Sequence, residues 1–578
     1  MSTGEKKKHP CAEFWQLPEL LGLVESKLSH PGDLKNLCLA SRSLHAAAIP
    51  VLYRRLEIDL DDCREDDGIL RRGHGGHKYI RHLVIKRPTQ SFLVHDKAAW
   101  RYKLRHLVSI LPQDKLMSFC TPDDTPLKPD DVNIILTQLG ALRYMQLGPT
   151  DFFDRASVME PILDRLMGLE IPNKIGCLAE LEFYGDILQR RPNIQDLSIR
   201  AEQITRRIMA ARISVPTSYL YQSIHKDQPL DSSIVFAHIF GRLKRDTIPL
   251  RLEKLLLHSQ RMLGAEQALI PYIAFENLRE LQIHDCSGVD DLLAGLTRRF
   301  LTTGSMLRVF SLYEDYRFDS DADGRVELLE SFLRSFEGLQ FLEIRWDDSG
   351  ADGFDLACLE THMPTLTDLC LSFLDNSKMD DDGEMDDDGE MGIMDYNWFP
   401  EDSELANLLE RSPNLRQLAL PLANKHNVDT RQSAIRSETD LILKSSQIKV
   451  LRILNRPNPA SDRYDASITM HDMHDFANNI MQRVAQYETA SALQLLCIGD
   501  CRPMEKFGTY SDDELSKLAS GCYIRGVQTD CFGLTRAAAI PVPVNRVQLE
   551  FPFWDAHVSE NDHYCLGAAD YQLLGRRA

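Results

Sequence analysis

No apolar run in the 578 residues approaches the ~18 needed to cross a bilayer, so no membrane span is expected. The first residues contain no apolar core of a signal peptide, so no secretory address is expected either. Basic charge is in deficit, with 66 Lys and Arg against 86 Asp and Glu and a formal net charge of −20. A phosphate-binding surface needs the opposite sign, which argues against nucleic acid as a partner. The thirteen cysteines are odd in number and scattered without a disulfide framework. That usage fits a reducing compartment, so the cytoplasm or the nucleus is expected. Glycine-rich phosphate loops and the G-x-S-x-G nucleophile turn are missing, and no catalytic residue or cofactor is assigned.

What is present begins near residue 14. Glu19 to Leu28 puts Leu20, Val24 and Leu28 on one helical face, behind a first-turn Pro18. His30-Pro31-Gly32 interrupts it. Asp33 is placed to cap a second helix carrying Leu34, Leu37 and Cys38. Ser43 is placed to cap a third, carrying Leu44, Ala47, Ala48, Val51 and Leu52, with Pro50 expected to kink or end it. About 45 residues make a marginal core. Leu17, Leu21, Leu23, Leu37 and Leu39 exceed what one inward face can hold, so the stretch either docks a partner or packs on the rest of the chain.

The same residues resemble the F-box family, fungal members above all. Leu17-Pro18-Glu19-Leu20-Leu21, Asp33-Leu34-Lys35-Asn36-Leu37-Cys38-Leu39-Ala40-Ser41-Arg42 and Ala48-Ile49-Pro50-Val51-Leu52-Tyr53-Arg54 carry the resemblance, in order. Gly22-Leu23 departs from the family's longer helical run. The resemblance implies docking to a Skp-type adaptor, and through it to a cullin, by Leu17, Pro18, Leu20, Leu21, Leu34 and Leu37. The expected F-box spans 14–59, behind a flexible 1–13.

From residue 77 one phrase recurs: apolar, two residues, apolar, one residue, apolar. It reads Ile80-Leu83-Ile85, Leu142-Met145-Leu147, Leu178-Leu181-Phe183, Ile194-Leu197-Ile199, Leu252-Leu255-Leu257 and Leu278-Leu281-Ile283. It continues as Leu307-Phe310-Leu312, Leu339-Leu342-Ile344, Leu366-Leu369-Leu371, Leu415-Leu418-Leu420, Ile448-Leu451-Ile453 and Leu493-Leu496-Ile498. This is the L-x-x-L-x-L core of a leucine-rich repeat, with a strand in each copy. Amphipathic helical runs such as Val289 to Phe300 and Val326 to Phe336 lie between copies. The expected fold is therefore α/β: a short three-helix F-box followed by a leucine-rich-repeat solenoid, or horseshoe, over 77–555, with 556–578 as a cap or tail. The gap from Leu178 to Ile194 is too short for a full unit, so one of those two copies is expected not to be a repeat strand.

Residues 375–396 carry a duplicated acidic hexamer, Met379 to Glu384 and Met385 to Glu390, expected to form a disordered insertion. Asp319, Asp321, Asp323 and Glu330 match a calcium-loop spacing, but a strand rather than a helix precedes them, so no calcium response is expected. The pairs His74/His77 and His471/His474 lack a third ligand and read as surface or loop residues; Cys497 and Cys501 read as ordinary thiols. No metal site is assigned.

On the concave side the phrase would present Glu280, Gln282, His284, Tyr313, Phe341, Glu343 and Arg345, a target-binding face with Tyr, Phe and Arg as anchors. The bland alternative is a mixed solvated sheet face. Together these residues imply the substrate receptor of an SCF-type ubiquitin ligase, holding an unknown target protein. The competing expectation is a leucine-rich-repeat scaffold or signalling adaptor acting outside a ligase.

Overall fold

The computed structural model describes residues 31–60, 68–85, 97–121, 129–146, 165–172, 174–175, 178–190, 193–200, 203–204, 232–241, 249–258, 264–284, 286–314, 325–347, 354–375, 395–396, 400–422, 438–454, 470–487, 491–499, 521–529 and 532–542, with isolated positions 127, 260, 262 and 547. The fold is mixed α/β. It divides into two compact units, the first from the described residues before 229 with 238–241, the second from 232–237 and those from 249 onward. Among the described residues no helix is long and apolar enough to cross a membrane.

Among the described residues the first unit begins with two helices, α1 (Pro31–Ala40) and α2 (Arg42–Leu52). The second expected helix starts at Pro31, ahead of Asp33, because proline lacks only an N–H that the first turn leaves unpaired anyway. Ser41, rather than Ser43, caps α2: its extended backbone lets its hydroxyl accept from the Leu44 N–H at 3.2 Å. Pro50 does not end α2, which runs on to Leu52 with Tyr53 N–H donating to the Ile49 carbonyl. Leu34, Leu44 and Ala48 are buried between the two helices and their surroundings.

Strand β1 (Arg55–Ile58) follows at once, inside the stretch read as F-box and ahead of residue 77. It pairs in parallel with β2 (His82–Ile85), and β3 (Ser118–Cys120), β4 (Tyr144–Gln146), β5 (Gly168–Ile171) and β7 (Asp196–Ile199) add in chain order. Between them run α3 (Lys97–Ile110), α4 (Pro129–Gln138) and α5 (Leu178–Arg190). The small strands β6 (Lys174–Ile175) and β8 (Gln203–Ile204) pair separately. Leu178-Leu181-Phe183 thus lies in α5, not in a strand. Its apolar residues extend to Tyr184, Ile187 and Leu188, all buried, and that 3.6-residue period overrides the short alternation. Gly185 permits close packing here, since a Cβ would stand 2.5 Å from the Ile239 carbonyl of α6 (Ser232–Phe240). The strand in this interval is β5, carried by Leu166-Leu169-Ile171. Likewise β3, whose third phrase position is the polar Thr121, fills the interval between Ile80 and Leu142.

The second unit stacks β9 (Lys254–His258), β10 (Glu280–His284), β11 (Val309–Glu314), β12 (Phe341–Asp347), β13 (Asp368–Asp375), β15 (Gln417–Leu420), β16 (Val450–Ile453) and β17 (Leu495–Ile498), all parallel. The second phrase position forms one column, Leu255, Leu281, Phe310, Leu342, Leu369, Leu418, Leu451 and Leu496, every member buried. After α7 (Ala265–Leu269) come α8 (Asp290–Thr303) and α9 (Arg325–Arg334), which pack over the column near Phe310. Phe310 meets Phe332 of α9 at 5.0 Å between centroids, and Phe332 meets Phe300 of α8 at 5.9 Å. Gly304, at φ 74°, ends α8 with its N–H on the Phe300 carbonyl. Further along come α10 (Asp402–Arg411), α11 (Glu438–Lys444) and α12 (Met470–Gln486).

Two boundaries move. Residues 395–396 form β14 (Asp395–Tyr396), antiparallel to Leu374 and Asp375, so the ends of the acidic stretch belong to the sheet; its hexamers lie outside the described residues. The parallel series also stops well before 555. After Ile498 the chain turns antiparallel into β18 (Gly521–Thr529) and β19 (Thr535–Val542). On β19, the Ala539 N–H donates to Asn478 Oδ1 at 2.8 Å, and the Ala539 carbonyl bonds His474 Nε2 at 2.9 Å. Side chains one turn apart on α12 thus satisfy backbone groups that an edge strand would offer to another chain. Residues 556–578 lie outside the described residues.

His362 is sealed in the second unit. Its Nε2 bonds the Leu333 carbonyl at 2.9 Å, its Nδ1 accepts from the Leu339 N–H at 3.3 Å, and its ring lies 4.9 Å from Phe336. Burial pushes its pKa down, opposed in part by the Leu333 carbonyl and the Glu337 charge. The folded state favours the neutral ring, whereas the unfolded chain takes up a proton near 6.5. The His362 contribution to stability is therefore complete above that pH and declines as the pH falls through it. Thermal unfolding followed from about pH 7 to about pH 5 should show this decline, and His362→Gln should flatten it. An unchanged slope in the variant would remove His362 from this role.

Candidate functional site

On the helix side, the sheet of the second unit carries the buried apolar column, and its opposite face carries the polar candidates. That face carries the residue between the second and third apolar positions of each phrase. Strand register aligns Gln282, Ser311, Glu343, Cys370, Ala419, Arg452 and Cys497 in one row. Glu280, Val309 and Phe341 flank it on one side, and His284, Tyr313 and Arg345 on the other. The seven residues expected to share a face do share it.

They are not a solvated surface. Gln282 is 1%, Phe341 4%, Glu343 5% and His284 6% exposed, while Glu280, Tyr313 and Arg345 are half-buried. The polar members pair with one another, across neighbouring strands and two residues apart along the same strand. Lys254 reaches Glu280 Oε1 at 2.5 Å, and Gln282 Nε2 donates to the same oxygen at 2.6 Å. His284 Nε2 lies 3.1 Å from Ser311 Oγ, which donates to Glu343 Oε2 at 3.2 Å. The other oxygen of Glu343 pairs with Arg345 Nε at 2.8 Å. Since the Ser311 proton goes to Glu343, His284 supplies the proton of the remaining bond, which places hydrogen on Nε2. Burial pushes the Cys370 thiol up, while Arg345 and Arg452 pull the other way. In this relay the carboxylate meets the hydroxyl and not the far side of the imidazole, unlike a nucleophile–base–acid triad.

The first unit repeats the arrangement, on residues outside the expected target-binding face. Val84, Cys120, Gln146, Glu170 and Ser198 form its middle row. His82 Nδ1 bonds Ser118 Oγ at 2.9 Å, the Cys120 thiol donates to Gln146, and Arg200 pairs with a fully buried Glu170 at 3.0 Å. A polar residue at the same phrase position in copy after copy was the available signal.

Leu17, Pro18, Leu20 and Leu21 lie outside the described residues. Leu34 is 4% exposed and Leu37 half-buried, so Leu34 belongs to the helix-pair core; Leu39, 77% exposed on α1, is the accessible apolar residue there. Asp319, Asp321 and Asp323 lie outside the described residues. Glu330 accepts from the Asp355 N–H at 2.8 Å and pairs with Arg334 at 3.0 Å, so both its oxygens serve packing. Among the described residues no group of three or more His, Cys, Asp or Glu is placed to hold a metal. The histidine pairs are not surface residues throughout: His77 is buried with Nε2 2.6 Å from the Ile69 carbonyl, and His474 holds the β19 edge. Burial, with His77 and Arg71 nearby, lowers the His74 pKa.

Because Glu343 and Arg345 are largely removed from water, breaking the pair leaves an uncompensated charge. Glu343→Ala should cost about 3–5 kcal/mol in urea unfolding, while Glu343→Leu with Arg345→Met should recover most of it. A loss below about 1 kcal/mol for the alanine variant would mean that solvent screens the pair.

Compared with family models and with curated proteins, the sequence matches none.

Proposed function

We propose that the chain is a non-catalytic substrate receptor of an SCF-type ubiquitin ligase, with an N-terminal F-box for a Skp-type adaptor and a leucine-rich-repeat solenoid for a target protein. The observation that carries this reading is the order of parts. A capped helix pair presenting exposed Leu39 runs directly into parallel strands that repeat one apolar phrase. The adaptor would link the chain to a cullin, and the chain would act by proximity, raising the effective concentration of a bound target near a charged conjugating enzyme. Such a role belongs in the cytoplasm or nucleus. The relay of His284, Ser311 and Glu343 supports rigidity of the target-binding face rather than turnover, since every partner in it is already engaged. Within that face, Tyr313 and Arg345 keep partial access, so contact with a target falls to them rather than to Phe341.

Copurification with the adaptor tests the reading. Leu17→Ala with Pro18→Ala should abolish it, and Leu39→Asp should weaken it while leaving helix content unchanged. Leu34→Arg would disrupt the helix pair itself, since Leu34 is buried there. Wild-type protein that fails to bind the adaptor at micromolar concentration would favour a scaffold outside any ligase. Tyr313→Ala should separately weaken target capture by about 2 kcal/mol or more without affecting the adaptor.

A further inference from the structure

The middle row of the second unit runs through the parallel strands to a buried sulfur, Cys497. Cys497 on β17 stands directly opposite Cys522 on β18, and its thiol donates to the Cys522 sulfur at 3.4 Å. Both are almost fully buried, at 1% and 2%, among Val450, Leu495 and Val547. No other described cysteine faces a cysteine across its strands: Cys370 stands between Glu343 and Ala419, and Cys120 between Val84 and Gln146. Directly opposed residues of an antiparallel pair have Cα atoms about 4.5–5.5 Å apart, within the roughly 4.4–6.8 Å that a disulfide spans. The backbone therefore already has the separation the bond requires.

The position matters as much as the distance. β18 pairs with β17 only over Gly521–Ile524, whereas β18 and β19 pair with each other as far as Thr529 and Thr535. Four residue pairs join the closing hairpin to the last parallel strand, and Cys497–Cys522 is one of the inner two. A bond there would tie the hairpin to the sheet.

We propose that Cys497 and Cys522 are a redox modification site, forming a reversible disulfide with a low-molecular-weight disulfide of the glutathione class as oxidant. One cysteine loses its proton to solvent, and its thiolate attacks the small disulfide, forming a mixed disulfide and releasing one small thiolate. The second cysteine, deprotonated in turn, attacks the protein sulfur of that mixed disulfide. The Cys497–Cys522 bond forms and the second small thiolate leaves. The two protein thiols lose two electrons, and the small disulfide is reduced to two thiols; an excess of small thiol runs the sequence backward. Because both sulfurs are buried, exchange passes through opening of the hairpin, and the oxidised form holds it shut.

The test equilibrates full-length protein with mixtures of reduced and oxidised glutathione, followed by denaturing alkylation and peptide mass spectrometry. It is run in buffer and again in urea just below the unfolding midpoint, where partial opening admits the reagent. As the mixture becomes oxidising, a peptide pair bridging Cys497 and Cys522 should appear. The melting temperature should rise by several degrees, and Cys497→Ser or Cys522→Ser should abolish both effects. Thiols that stay alkylatable under both conditions would overturn the proposal. So would a glutathione adduct that never resolves, or a bridge from either cysteine to Cys501.

Discussion

Where one parallel strand follows another within a unit, a carbonyl just ahead of the first strand takes two successive N–H donors at the entry to the next. In the second unit the N–H groups of Arg308 and Val309 both donate to the Arg279 carbonyl, at 2.8 and 3.0 Å, and those of Gln340 and Phe341 both donate to that of Arg308. The pattern continues through Gln340, Thr367, Arg416 and Lys449 as acceptors, and the first unit shows it at Arg54, Arg81, Met117, Arg143 and Met167. Everything else in each unit depends on this clamp, because it leaves no freedom of register. A one-residue slip would send every leucine of a strand to the wrong face. The clamp therefore stacks like phrase positions on one another, and the leucine column under α8 and α9 is its consequence.

The same register creates the polar row. Side chains on neighbouring strands come within hydrogen-bonding reach, since strands lie about 4.8 Å apart. Long polar residues there can satisfy one another, and burial of Glu343 or Glu170 is tolerable because each meets an arginine. The cost of stranding one partner is what ties the row together. Sidedness thus comes from chemistry as well as packing: hydrocarbon toward the helices, paired polar groups away from them.

A parallel series must also end without leaving a row of open backbone groups. In the second unit the ending is a change of direction. β18 and β19 turn antiparallel, and His474 and Asn478 from α12 satisfy Ala539. Tyr523 of β18 stacks on His474 with the rings 7° from parallel, which holds the helix side chain against the hairpin that contains Ala539.

The repeated phrase determined by itself that strands would alternate with helices and which residues would form the core, since the burial of Leu281, Phe310 and Leu342 follows from period and hydrophobicity alone. Helix α8 was legible for the same reason. Where two periods compete, local pattern does not suffice: Leu178 to Phe183 reads as a strand over six residues and as a helix over thirteen, and tertiary packing of the longer face decides. β3 was hidden because Thr121 replaces the third apolar residue while the backbone clamp at Arg81 still holds. The membership of the candidate face was legible from alternation, but its burial was not. Exposure of Glu343 depends on Ser311 and Arg345 arriving from the neighbouring strand and from its own, and no single phrase contains that pairing. The meeting of Cys497 with Cys522 has the same origin. Only the antiparallel pairing of β18 with β17 brings the two sulfurs together, and that pairing joins strands 23 residues apart in sequence, beyond the reach of any local pattern.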